Sequence, residues 1–149
     1  MRLIICTDAQ NGITFNQRRV SKDAVVTMDI LKSIGYKKLY IDRASLKLFQ
    51  DFVVPKEKYG LLSRPKIVVV DNLPQFLASH QIGSAYAFFE TAHIQDFIDK
   101  AGRLIWYNWN REYPHDTLLS IPNSFHIRHT TEFAGKSHEK ITKSIFQNI

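Results

Sequence analysis

Apolar residues in this chain fall in short runs separated by stretches of helical period, and that alternation predicts an α/β sheet of mostly parallel strands joined by crossovers. Five runs read as strands covered on both faces: Leu3 to Thr7, Lys38 to Ile41, Lys66 to Val70, Ala87 to Phe89 and Arg103 to Tyr107. Between them, Val26, Ile30, Leu31 and Ile34 recur at helical spacing ahead of Gly35, which predicts a helix over 22–33. A second helix starts near Ser45 with Leu46, Leu48 and Phe49 on it. A third is capped by Thr91, buries Ile94, Phe97, Ile98 and Ala101, and stops at Gly102. A fourth, over 111–119, tolerates Pro114 because it lies in the first turn. From Phe125 to Phe133 residues alternate in polarity, the period of a strand with two unlike faces. The stretch Val54 to Ser63 reads as a loop.

Composition narrows this picture. A chain of 149 residues with 44% apolar content suits one domain with one ordinary core. The net charge of +6 permits an anionic partner, such as cofactor phosphate, a carboxylate-bearing substrate or nucleic acid. Arg18, Arg19, Lys22, Lys37 and Lys38 are the basic residues that nucleic acid would use, but cations are spread along the whole chain, which argues against that partner. Cys6 is the single cysteine, so an internal disulfide and a thiolate metal site are excluded, as expected of a cytoplasmic protein. The opening MRLIIC is a first strand with no cleavage region after it, and no run reaches the roughly 20 apolar residues of a membrane span. His126 and His129 belong to opposite faces of a strand with no acidic cluster near, so no metal site is expected. Ser120, Ser124 and Ser137 lie in no nucleophile motif.

The most unusual segment is Leu104 to Tyr113, LIWYNWNREY, which reads as a strand running into a helix. A nucleotide-binding turn at such a place offers glycines, so that backbone N–H groups reach a diphosphate. Here Asn108, Trp109 and Asn110 occupy it.

In order and spacing, the segments LIICTDAQNGIT (Leu3 to Thr14), SKDAVVTMDIL (Ser21 to Leu31), KKLYIDRASLKLF (Lys37 to Phe49), SRPKIVVV (Ser63 to Val70), LIWYNWNREY and FAGKSH (Phe133 to His138) resemble the dihydrofolate reductase family over about residues 1 to 138. The resemblance implies a mostly parallel central sheet with helices on both faces. Eleven residues follow His138, so the C-terminal strand region is expected to be shortened, or its exposed edge covered by a second copy of the chain.

It also implies a site. Asp23, at the start of the first helix, matches the acid that binds a pterin and whose raised pKa helps deliver a proton during hydride transfer; read without the resemblance, it is a first-turn acid favoured by the helix dipole. Thr27 joins it in the substrate pocket. Arg64 matches the arginine that clamps the carboxylate of a folate tail. Gly12 and Ile13, after Asp8 and Asn11, match the start of a mobile loop over the site. Arg43 and Ser45 keep donors for the phosphates of NADPH, whereas Asp42 stands where the family has a glycine. Asn108 and Trp109 replace a glycine pair, with Asn110 and Arg111 beside them, and Ile127 stands where a threonine would bond the acid. Two readings follow from the resemblance: an NADPH-dependent reductase of dihydrofolate or a related pterin or heterocycle, and a non-catalytic binding or assembly module that has lost the cofactor site.

Overall fold

The computed structural model describes residues 1–50 and 66–149; the loop at Val54 to Ser63 and the candidate Arg64 lie outside them. In chain order the strands are β1 (Arg2–Thr7), β2 (Gly12–Phe15), β3 (Arg18–Arg19), β4 (Lys38–Asp42), β5 (Lys66–Val70), β6 (Tyr86–Phe88), β7 (Arg103–Asn108), β8 (Thr117–Leu118), β9 (Phe125–Phe133) and β10 (Ile141–Asn148). The helices are α1 (Ala24–Ile34), α2 (Leu46–Gln50), α3 (Leu73–Ser79) and α4 (Gln95–Ile98), with single tight turns at Arg43–Ser45 and Ala92–Ile94 leading into α2 and α4.

Seven strands form the main sheet in the order β5-β4-β6-β1-β7-β10-β9. The first five are parallel, and β10 runs antiparallel between β7 and β9. Successive side chains of a strand point to opposite faces, and β1 divides accordingly. Leu3 and Ile5 join Leu104 and Trp106 in a core closed by Leu73 and Leu77 of α3 and Phe97 and Ile98 of α4. Ile4 and Cys6 join Ile105 and Tyr107 in a second core closed by Val26, Ile30 and Ile34 of α1 and Phe49 of α2. This two-sided burial is why the parallel strands read as continuous apolar runs.

A helix forms at α1 because its buried residues recur at helical spacing and both ends are capped. The Asp23 side chain accepts the N–H of Val25, and Gly35 takes φ 59°, a value that side chains resist. The second small sheet, β3-β2-β8, begins with a two-residue hairpin at Asn16 and Gln17, with φ of 50° and 63°. Left-handed backbone at both central positions matches the twist of the strands they join. The segment starting at Gly12 is therefore a strand, not the beginning of an open loop.

Three other expectations change. No helix forms over 111–119: the buried Asp8 carboxylate accepts the N–H of Tyr113 at 3.3 Å and contacts the His115 ring at 2.7 Å, and the Asp116 N–H donates to the Thr14 carbonyl, so the chain is held extended into β8. The C-terminal strand region is not shortened, because the eight residues of β10 fill the place between β7 and β9. The expected third helix is broken into a tight turn and the short α4.

Candidate functional site

Asp23 is the most heavily bonded side chain in the described structure. Its carboxylate is inaccessible to solvent and accepts the N–H groups of Val25 and Lys136 at 2.9 Å, and that of Ser137 at 2.8 Å. The Ser137 hydroxyl donates to it at 3.1 Å, and His138 Nδ1 lies 2.8 Å from Oδ2. Burial alone would push this carboxyl up, but the Lys136 N–H, the His138 ring and the N–H groups of Ser137 and Val25 outweigh it and hold it well below the usual carboxylate range. The hairpin loop between β9 and β10 thus closes over the start of α1. Gly135 makes the approach possible, since a Cβ there would lie 2.5 Å from Asp23 Oδ2.

The network continues outward from His138. Its Nε2 lies 3.0 Å from Ser21 Oγ and 2.8 Å from Tyr113 Oη, and Trp109 stacks on the ring at 4.8 Å and 25°. Ser21 in turn belongs to the wall of a crevice of about 550 Å³. One side of that crevice is the hairpin of β2 and β3 with Arg18, Arg19 and Lys22; the other is the chain leaving β4 and β6, with Asp42, Ser45, Glu90 and Thr91. The adjacent strands β4 and β6 send their following connections in opposite directions along the sheet, to β5 and to β7. Ligands of open α/β sheets bind at such switch points.

Charge in the crevice is mixed. Glu90, with a side chain only 7% exposed, accepts from the Arg19 guanidinium at 2.8 Å. Burial pushes its carboxyl up; Arg19 draws it part of the way back, the nearby Asp42 adds to the rise, and it sits at about 7. Thr91 Oγ1 is buried beside it without a hydrogen-bond partner among the described residues.

No protein-family profile matches this sequence, and no curated protein matches it. Solved structures do. A dihydrofolate reductase from Enterococcus faecalis, complexed with NADP(H) and RAB-propyl, superposes with a TM-score of 0.63 over 98% of this chain and 94% of that one, at 8% identity. The fold is dihydrofolate reductase-like.

Within that fold, the expected site residues do not gather in one place. Asp23 and Thr27 are neighbours, but the Thr27 hydroxyl is turned back to the Asp23 carbonyl at 3.2 Å and its side chain is buried. Arg43 and Ser45 stand together at the end of β4. Asn108 ends β7 and Asn110 and Arg111 follow it, three strands away, or about 14 Å at the usual strand spacing; it is Glu90 and Thr91 that share the crevice with Ser45. Asn110 ties the end of β7 to β10, donating to the Lys140 carbonyl at 3.1 Å and the Thr142 hydroxyl at 2.8 Å. Trp109 is buried against His138, and the Arg111 carbonyl accepts the Ala9 N–H at 2.8 Å.

Gly12 and Ile13 are both closely packed. A Cβ on Gly12 would lie 2.5 Å from the His115 ring, and Ile13 belongs to the core. Ile127 lies on the outer strand β9, is 59% exposed, and is no neighbour of Asp23. The groups that hold the acid come from Lys136 to His138, in the FAGKSH segment. The small Gly-Lys-Ser turn after a long strand was the available signal for them.

The cofactor implied by the fold finds a poor fit. Asp42 Oδ1 accepts the Ser45 N–H at 3.1 Å, so a backbone donor at the turn where phosphate would bind is already taken by a carboxylate. Arg43 extends into solvent and pairs with Asp71 at 2.7 Å. The Asp42 carboxylate and the Glu90 carboxyl, which Arg19 pairs, line the same crevice. Among the described residues no cluster of His, Cys, Asp and Glu could hold a metal ion, and no helix is long and apolar enough to cross a membrane.

Proposed function

We propose that this chain is a dihydrofolate reductase-like binding module that does not transfer hydride from NADPH to a folate. The observation that carries the reading is the state of Asp23. A carboxylate that already accepts from three backbone N–H groups, a hydroxyl and an imidazole has no free lone pair for a pterin. Held well below the usual range, it also carries no proton to deliver near neutrality. The crevice between the ends of β4 and β6 is the proposed ligand site, and its size suits one small molecule. Its Arg18 and Lys22 cations, the orphan Thr91 hydroxyl and the Glu90 carboxyl favour a polar ligand with both donors and acceptors. A free buried Cys6 supports a reducing compartment, the cytoplasm.

The test is a titration with NADPH, followed by nicotinamide fluorescence and by quenching of Trp106 and Trp109, together with an absorbance assay for dihydrofolate reduction. No binding at millimolar cofactor and no turnover are expected; micromolar binding with turnover would refute the module reading.

The reductase reading keeps one specific support, the switch-point position of the crevice in a fold whose solved neighbour was captured with NADP(H). Under that reading Arg64 holds a substrate carboxylate. The double variant Asp42→Gly, Glu90→Gly would then gain NADPH affinity by removing the two carboxylates.

A further inference from the structure

We propose that Ser21 is a nucleophile, activated by His138 and Asp23, that accepts an acyl group from a small ester entering the crevice. Three side chains from distant parts of the chain stand in the order such chemistry requires. Asp23 Oδ2 lies 2.8 Å from His138 Nδ1, and His138 Nε2 lies 3.0 Å from Ser21 Oγ. Serine–histidine–acid constellations are recognised by this geometry and these roles, not by fold or chain order.

Each member is in the state its role needs. Asp23 is anionic and fixed by backbone donors, which assigns the imidazole proton to Nδ1 and leaves the Nε2 lone pair facing the hydroxyl. Trp109 stacks on the His138 ring and the ring is almost wholly buried, so its orientation is set. Ser21 is partly exposed and lines the crevice, while the histidine lies behind it. Lys22 and Arg18 line the same crevice and give it positive charge, which favours a developing oxyanion there.

Tyr113 Oη is the competitor for the base. It lies 2.8 Å from the same Nε2 and 3.3 Å from Ser21 Oγ, so the free protein holds the nucleophile and the tyrosine in one hydrogen-bonded triangle. In the acylation step Ser21 Oγ attacks the ester carbonyl carbon as its proton passes to Nε2. The tetrahedral adduct collapses, the C–O bond to the alcohol breaks, and the departing oxygen takes the proton from His138. A water molecule then attacks the acyl carbon, giving its proton to Nε2; the bond from that carbon to Oγ breaks, Oγ takes the proton back from His138, and the carboxylic acid leaves. No oxidant, reductant or cofactor enters, so this inference stands or falls apart from the NADPH titration.

The experiment uses the full chain with p-nitrophenyl acetate and, separately, a fluorophosphonate probe, read by p-nitrophenol release and by intact and peptide mass. One covalent adduct per chain, located on Ser21 and absent in Ser21→Ala, is expected. In His138→Gln the labelling rate should fall by about 100-fold or more, the size of a general-base contribution. In Tyr113→Phe it should rise, because Nε2 is released to Ser21. No adduct on the wild-type chain, an adduct that survives Ser21→Ala, or a labelling rate that does not rise in a folded Tyr113→Phe would each overturn the proposal. Thermal melting reports whether each variant folds; if His138→Gln does not, the comparison of wild type with Ser21→Ala still decides.

Discussion

Three buried carboxylates in this protein titrate in two opposite senses, and between them they set both limbs of its stability against pH. Asp23 and Asp8 are held below their ordinary range, Asp8 because its bonds from Gly12, Gln10, Tyr113 and His115 outweigh its burial. The stability they contribute is complete above the unfolded-state value of about 4 and is lost as pH falls through it and below. Glu90 is the reverse. Its folded value of about 7 lies above its ordinary 4.5, so between those values the unfolded chain gives up a proton that the folded chain keeps. Stability therefore falls across that window by up to about 1.4 kcal/mol per pH unit. Denaturant melts from pH 3 to 8 should show a maximum near pH 5, and Glu90→Gln should flatten the neutral limb while leaving the acid limb intact. An unchanged neutral slope in Glu90→Gln would mean that Glu90 is ionised in the fold. Asp23→Asn should do the converse to the acid limb and cost about 3–5 kcal/mol, because backbone donors aimed at a carboxylate would meet an amide group. Asp23 was legible in the sequence as a helix-start acid; its five donors were not, because four of them come from residues more than a hundred positions away.

Elements were legible where the local pattern was decisive and lost where tertiary bonds decided. The five parallel strands and α1 announce themselves through continuous apolar runs and a capped helical period. The segment 111–119 has helical credentials, yet the Asp8 carboxylate takes the Tyr113 N–H and the His115 ring, and the Thr14 carbonyl takes the Asp116 N–H. Strand β10 is not legible in the sequence because eleven residues after His138 look too few for a hairpin, although eight of them pair with β9 and six of those also with β7. The hairpin loop owes its conformation to this pairing and to Gly135. Gly135→Ala would press a methyl group onto a carboxylate that cannot move aside, since its own bonds hold it. We expect a loss of about 1–3 kcal/mol, the usual cost of overpacking, with proteolysis appearing first in the loop around Lys136. A melting temperature equal to that of the wild type would show that the loop does not depend on this close approach.

For the whole molecule, the alternation of strands and crossovers gave the α/β class, but strand order is a property of non-local pairing that no short window contains. The same holds for the crevice, whose walls come from β3, β4 and β6 and whose deepest acid, Glu90, sits on a turn that no motif marks. Completion of the sheet by β10 also bears on assembly. An incomplete sheet would call for a second copy to cover its edge; here, among the described residues, the outer strands are β5 and β9. Along β9 the exposed positions include His126, Arg128, His129 and Glu132, and charged side chains on an edge strand oppose edge-to-edge pairing. One exposed apolar residue, Ile127, is too small a patch to offset that or the repulsion between chains carrying a net charge of +6. Sedimentation equilibrium should therefore return the monomer mass of 17.3 kDa at low and moderate salt. A dimer that dissociates in Ile127→Lys would reverse this conclusion and place the partner chain on β9.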